Sequence, residues 1–301
     1  MSYIRCYILK SGRAMISRRE LFVGTPLLIG QPAKARQAPR AGCQTNAWPI
    51  EAGNFAQFLA VLDRVRQLGF SGFETGFRNA QGRFDAPAFA RAEIEKTKLR
   101  FLGVHIFLTA CDPQDSIPAW DLLSRVADGG SALGAERLIV SGRAVSVGGK
   151  LDIAAVGRKS DALSRAGEYC RKKGIAFAYH NHNFEFTAAG AEMEELIRRT
   201  DPALVGLALD AGHAYAGGVD VVRFFRRHSR RIHLIHLRDF RGGQQVPLGQ
   251  GEFNMAPLAR AIRESAWAGW LVNEEERPND VRPGDAVVEP ARKHVKKVFG
   301  I

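Results

Sequence analysis

From residue 43 onward the sequence alternates between short apolar runs and longer amphipathic stretches, and this rhythm limits the possible folds more than any other feature. The runs 43–47, 72–74, 101–107, 137–141, 176–180, 205–210, 232–237 and 270–274 have the length and apolar content of buried strands. Between and after them, 55–68, 86–98, 118–133, 153–173, 191–199, 221–228, 255–265 and 283–298 repeat apolar residues at helical spacing. Gly69, Gly134, Gly174 and Gly269 stand just before strands, where a helix C-cap calls for positive φ. Eight strand–helix units in this order predict an α/β fold of the (β/α)8 TIM barrel type over residues 39–301. A doubly wound sheet would open on a glycine-rich phosphate loop, and no G-x-G-x-x-G or Walker sequence begins any of these helices.

Composition narrows the class. With 46% hydrophobic and 25% charged residues, the 301-residue chain has the make-up of an ordinary globular protein. No apolar run approaches the ~20 residues that span a bilayer. The net charge of +12 invites a nucleic-acid reading, but its location argues otherwise. Residues 1–42 hold eight basic residues and one acid, hence +7, leaving +5 for the rest. The basic face 223–231 reads as a solvated helix surface.

The excess at the N-terminus has its own explanation. Ser17-Arg18-Arg19-Glu20-Leu21-Phe22 pairs two arginines before the apolar run 21–30, and Ala33-Lys34-Ala35 has the small-residue pattern expected of an A-x-A cleavage site. This order resembles a twin-arginine export signal, so residues 1–38 are expected to be signal and linker, and the mature chain to be periplasmic. Cleavage leaves Cys43, Cys111 and Cys170, widely spaced and without C-x-x-C, which read as buried small hydrophobes.

A barrel enzyme carries its chemistry at the C-terminal ends of its strands. Glu74 ends the second strand, His105 lies near the end of the third, and His180 and His182 end the fifth. Asp210, His236 and Glu274 end the sixth, seventh and eighth. One imidazole and two carboxylates converging there suit Mn²⁺, Co²⁺, Zn²⁺ or Fe²⁺. Alone, each has a plainer reading: a strand-end Asp often caps the next helix, and a single His is often a core residue. Three at equivalent strand ends change that balance. A fourth ligand is expected from Tyr179-His180-Asn181-His182-Asn183-Phe184-Glu185, where strand alternation puts His180 and His182 on the same side, one layer apart.

Five segments in this order resemble the sugar isomerase/epimerase barrels of the xylose isomerase-like superfamily, which also contains endonuclease IV. They are Tyr179-His180-Asn181-His182-Asn183-Phe184-Glu185-Phe186, Leu209-Asp210-Ala211-Gly212-His213, Ile235-His236-Leu237-Arg238-Asp239, Leu248-Gly249-Gln250-Gly251-Glu252-Phe253 and Trp270-Leu271-Val272-Asn273-Glu274. The resemblance implies one divalent metal held by residues of the fifth to eighth strands: His180, Asp210, His236 and Glu274. Many relatives have Glu where this chain has His180, and in the epimerases that Glu is also one of two acid/base residues. His180 is therefore a candidate as ligand, as base, or as both, and Glu274 as its catalytic partner. The resemblance also implies substrate binding by His213. Glu74, His105, His182 and Glu185 are expected to line the pocket; Arg238 either holds a substrate oxygen or pairs with Asp239 at the surface. Trp48 either covers the sugar or packs in the core.

Such a site would isomerise or epimerise a free sugar, keto-sugar or 3-keto-glycoside by removing a proton beside a carbonyl. The same step could expel a β-substituent, making a lyase or hydrolase of 3-keto-glycosides. A phosphate ester fits less well, since no phosphate cradle is evident. An endonuclease IV-like phosphodiesterase would need more ligands for a three-metal cluster. A non-catalytic sugar-binding barrel would keep aromatics and lose the metal ligands. The expected partner is a small-molecule sugar, with no nucleic acid and no membrane in the mature form; helical faces rich in small residues permit a homodimer.

Overall fold

Eight parallel strands close into a barrel in the computed structural model, which describes residues 38–147, 150–275 and 284–301. The paired-arginine segment and its cleavage site lie outside the described residues. The barrel strands are β1 (Arg40–Gln44), β2 (Gly72–Gly76), β3 (Arg100–Ile106), β4 (Arg137–Ser141), β5 (Ala176–His180), β6 (Gly206–Asp210), β7 (Ile232–Leu237) and β8 (Trp270–Asn273). Each pairs with its neighbours in chain order, and β8 closes on β1. The expected (β/α)8 TIM barrel is thus the fold of this chain.

The principal helices follow the same rhythm. They are α1 (Phe55–Gln67), α2 (Pro87–Lys96), α3 (Trp120–Ala132), α4 (Ile153–Lys172), α5 (Thr187–Arg199), α6 (Val221–His228), α7 (Ala256–Ser265) and α8 (Asp285–Phe299). Asn54, Asp152 and Asp220 cap α1, α4 and α6 by accepting bonds from first-turn N–H groups that lack a helical partner.

Two boundary expectations change. β1 starts at Arg40, and Thr45–Ala47 forms a 3₁₀ turn, because the Gln44 side chain accepts from the Asn46 N–H and turns the chain at the barrel rim. Gly69, Gly134 and Gly174 do adopt positive φ, but α7 instead ends on Ala266 in the left-handed region. Gly269 serves close packing: a Cβ there would lie 2.1 Å from the Trp267 ring.

Period-two alternation divides the strand residues between two cores. Leu102, Ile139, Ala178, Ala208, Leu234, Trp270 and Val272 fill the barrel interior. Phe177, Tyr179, Leu207, Leu209, Ile235, Leu237 and Leu271 point outward and pack with the helices. Two residues beyond the interior plug, the same alternation turns Ser141, His180, Asp210, His236 and Glu274 inward as a polar layer over an apolar floor. Small residues allow the plug to contain Trp270 and Leu102; a Cβ on Gly72 would lie 2.8 Å from Leu102 and 3.0 Å from Trp270.

Candidate metal centre

His180, Asp210 and His236 lie at the ends of β5, β6 and β7, Glu274 directly follows β8, and each offers a ligand atom within 4.8 Å of the other three. All four side chains are buried. The Nδ1 of His236 lies 2.7 Å from Glu274 Oε2, yet neither atom has a properly aligned hydrogen bond. The Nε2 of His180 stands 3.8 Å from Asp210 Oδ2, and its Nδ1 is also unpartnered. Close donor atoms that do not aim at one another, but share a region, have the arrangement of ligands about a common ion. Two imidazoles and two carboxylates suit a borderline divalent metal.

The surrounding residues fix these ligands. His236 Nε2 lies 2.8 Å from Glu74 Oε2, so Nε2–H donates outward and the Nδ1 lone pair faces the other ligands. Glu74 also accepts from Gln44 Nε2 at 3.1 Å and bonds to His105 Nδ1 at 3.0 Å. The opposite nitrogen of His105 bonds to Ser141 Oγ at 2.9 Å. Asn181 replaces a strand neighbour for Asp210: its amide donates to the Asp210 carbonyl at 3.0 Å, and its oxygen accepts the Asp210 N–H at 2.9 Å. Asp210 caps a helix, as one reading of a strand-end Asp expects, and keeps its other oxygen toward the cluster. Oδ1 caps the helical turn Ala211–Ala216 through the His213 N–H at 2.7 Å, while Oδ2 faces the cluster.

Arg238 lies between two ligand carboxylates. Its Nε donates to Asp210 Oδ2 at 2.8 Å, and Nη2 stands 2.7 Å from Glu274 Oε1. Asp210 and Glu274 face this guanidinium and Glu74 faces His236, so the buried group holds three carboxylates against one fixed cation, and a divalent ion would bring it to neutrality. Burial alone would lower the pKa of His236, but Glu74 and Glu274 push it well above the ordinary imidazole value. Burial, followed by the His236 charge, holds His180 well below that value. Burial would raise Glu274, but Arg238 and His236 outweigh it and keep the carboxyl well below its usual range.

Several expected positions change. Arg238 does not pair with Asp239 at the surface; both are buried, and they point to different partners. Asp239 accepts the N–H groups of Phe240, Gly249, Gly251 and Phe253, which accounts structurally for the Leu248–Phe253 motif. Glu74 and His105 stand behind the ligands, because their polar atoms are bonded to protein partners. Glu185 leaves the pocket lining for the same reason: it bonds to Lys159, the Tyr179 hydroxyl and the His182 N–H. His182 and His213 remain half-buried at the rim, with ring centroids 4.9 Å apart. β5 ends at His180, so His182 is placed by its loop and not by strand alternation. Trp48 is half-buried and donates to Asp285 Oδ1 at 3.1 Å, tying the rim after β1 to the start of α8.

Sequence reasoning did not find Gln44, Ser141, Lys159 or Glu192. Gln44 and Ser141 are the last residues of β1 and β4, so the strand-end rule applies to them; they were missed because neither bears a charge. Lys159 and Glu192 lie on helices, where their spacing is that of surface charges, and only the structure shows their burial.

The family described as the xylose isomerase-like TIM barrel matches residues 62–298. An inosose dehydratase of Lacticaseibacillus casei is 27% identical over 289 residues, covering 85% of this chain and 95% of the relative. A second inosose dehydratase, from Geobacillus thermodenitrificans, is 26% identical, with 85% and 95% covered. Among solved structures, a sugar phosphate isomerase/epimerase from Parabacteroides distasonis has a TM-score of 0.64 at 20% identity, covering 88% of this chain and 98% of that one. A 3-keto-D-glucoside 4-epimerase from E. coli has a TM-score of 0.65 at 13% identity, covering 87% and 100%. These two likenesses show the shared fold. With the family match extending over most of the barrel, the chain belongs to the xylose isomerase-like TIM barrel family.

Proposed function

We propose that this chain is a divalent-metal-dependent enzyme that removes the proton beside the carbonyl of a free sugar, keto-sugar, 3-keto-glycoside or related keto-polyol. The observation that carries this reading is the convergence of His180, Asp210, His236 and Glu274 at the catalytic end of the barrel, with unpartnered atoms on His180, His236 and Glu274. A bound divalent ion would supply Lewis-acid stabilisation of negative charge developing on substrate oxygen. Glu274 is the carboxylate available as base, kept ionised by Arg238 and His236. His180, across β6 and β7 from Glu274, is the second proton-handling candidate. Rim residues His182 and His213 would orient substrate hydroxyls.

Two outcomes share this first step. Returning the proton to another face or carbon gives an epimerase or isomerase. Losing a β-hydroxyl with a proton gives water and an enone, as a dehydratase does. The similarity to inosose dehydratases over 85% of the chain favours this second outcome. So does His180, which leaves Glu274 as the single glutamate among the four residues. The test is incubation of Mn²⁺-loaded protein with keto-sugars and inososes in D₂O. Deuterium beside the carbonyl, with no enone absorbance, identifies isomerase or epimerase chemistry; enone absorbance identifies dehydration. Neither signal with any of these substrates would overturn the reading. Export through the paired-arginine segment is part of the proposal, and Arg18→Lys with Arg19→Lys should leave the chain in the cytoplasm.

A further inference from the structure

A buried charge cluster outside the metal centre is built around Lys159 of α4, whose side chain is 0% exposed. Its ammonium uses three donors: to Arg143 O at 2.8 Å, Glu185 Oε1 at 3.1 Å and Glu192 Oε1 at 2.8 Å. The far oxygen of Glu192 accepts the Val145 N–H at 3.0 Å, holding the loop after β4. The far oxygen of Glu185 accepts the His182 N–H at 2.6 Å, holding the loop after β5. The Tyr179 hydroxyl bonds to Glu185 as well, and the ammonium sits 5.0 Å from that ring. Between the two glutamates the chain makes an unusual turn: Ala188, Ala189 and Gly190 are successively left-handed, with φ of 50°, 59° and 80°. Both ends of this turn are therefore fastened to one cation. Gly142 makes the approach possible, since a Cβ there would lie 2.8 Å from Lys159 Cε and 2.7 Å from the Tyr179 hydroxyl.

These loops begin at residues of the polar layer. β4 ends at Ser141, the partner of His105, and β5 ends at His180, a ligand. Tyr179 and His182 flank His180 in sequence, and Glu185 holds both. We propose that Lys159, bonded to none of the four ligands, is a positioning residue that fastens the β4 and β5 loops to each other and thereby sets His180 and His182. A buried ion group could serve stability alone, but apolar packing can serve that purpose as well. What apolar packing would not provide is a directed bond to each of two loops from a single nitrogen.

Hydrogen exchange of the metal-free mature chain tests this directly. In Lys159→Met, exchange should rise about tenfold or more in both 142–146 and 182–190, while β1 to β3 keep their protection. Glu192→Gln should loosen 144–146 and leave 182–185 held by Glu185. Co²⁺ absorption supplies a second readout, resting on the metal-centre reading: Lys159→Met should shift the bands or weaken binding because His180 moves. Unchanged exchange, a rise in only one loop, or a uniform rise through the barrel would overturn the proposal, as would Co²⁺ bands identical to wild type. If wild type itself shows no Co²⁺ bands, the metal reading fails and the exchange pattern alone decides. If Lys159→Met does not fold, Glu192→Gln decides: selective loosening of 144–146 supports the link, and undisturbed protection there refutes it.

Discussion

His236 shows how one residue's chemistry depends on its neighbours. Its Nε2 bond to Glu74 leaves Nδ1 facing Glu274, so the outer carboxylate fixes the donor atom offered to an ion. Replacing Glu74 with Gln should weaken Co²⁺ binding about 10- to 100-fold while preserving the fold, as measured by Co²⁺ titration and circular dichroism. Glu185 makes a prediction of another kind. Burial, with Glu192 adding to it, pushes its carboxyl up to about 7 against the pull of Lys159. A raised folded-state pKa means that the stabilising contribution is complete below the ordinary carboxylate value and disappears as pH rises through about 7. Between about pH 5 and 8, wild type should therefore lose melting temperature relative to Glu185→Gln, and parallel curves would contradict this.

At the scale of elements, the loop after β7 is organised from within. Four N–H groups converge on Asp239, and Gly251 is required because a Cβ would lie 2.0 Å from Asp239 Oδ1. Asp239→Ala would leave those donors unpaired and should destabilise the protein by about 2–4 kcal/mol in urea unfolding, with Gly251→Ala acting in the same direction. The sequence motif around these residues was legible as a family signature but not as a clamp. Asp239 sits beside Arg238, and adjacency suggested an ion pair; beyond the end of β7 the two side chains instead take different partners, Asp210 for Arg238 and the loop N–H groups for Asp239. Strands were legible as short apolar runs, several with a polar residue at the end, as Ala176–His180 and Gly206–Asp210 show. The start of β1 was not, because Arg40 is charged and exposed at the open end of its strand.

For the whole molecule, closure of the barrel brings together residues that are distant in sequence. Glu74 and His236 stand 162 positions apart and meet at 2.8 Å. The four candidate ligands were legible because the strand-end rule turns sequence position into spatial position, and closure then places them in one layer. Lys159 and Glu192 were not legible, since a charge at helical spacing normally faces water. Their burial depends on how α4 and α5 pack over the β4 and β5 loops.

The proposed chemistry requires that these four side chains hold one divalent ion. Elemental analysis of the purified protein, after Mn²⁺ or Co²⁺ loading and dialysis and with His236→Ala measured alongside, is the decisive measurement. The expected result is about one ion per wild-type chain and essentially none in the variant, with circular dichroism unchanged. No bound metal in wild type, or an ion retained in the folded variant, would contradict the account.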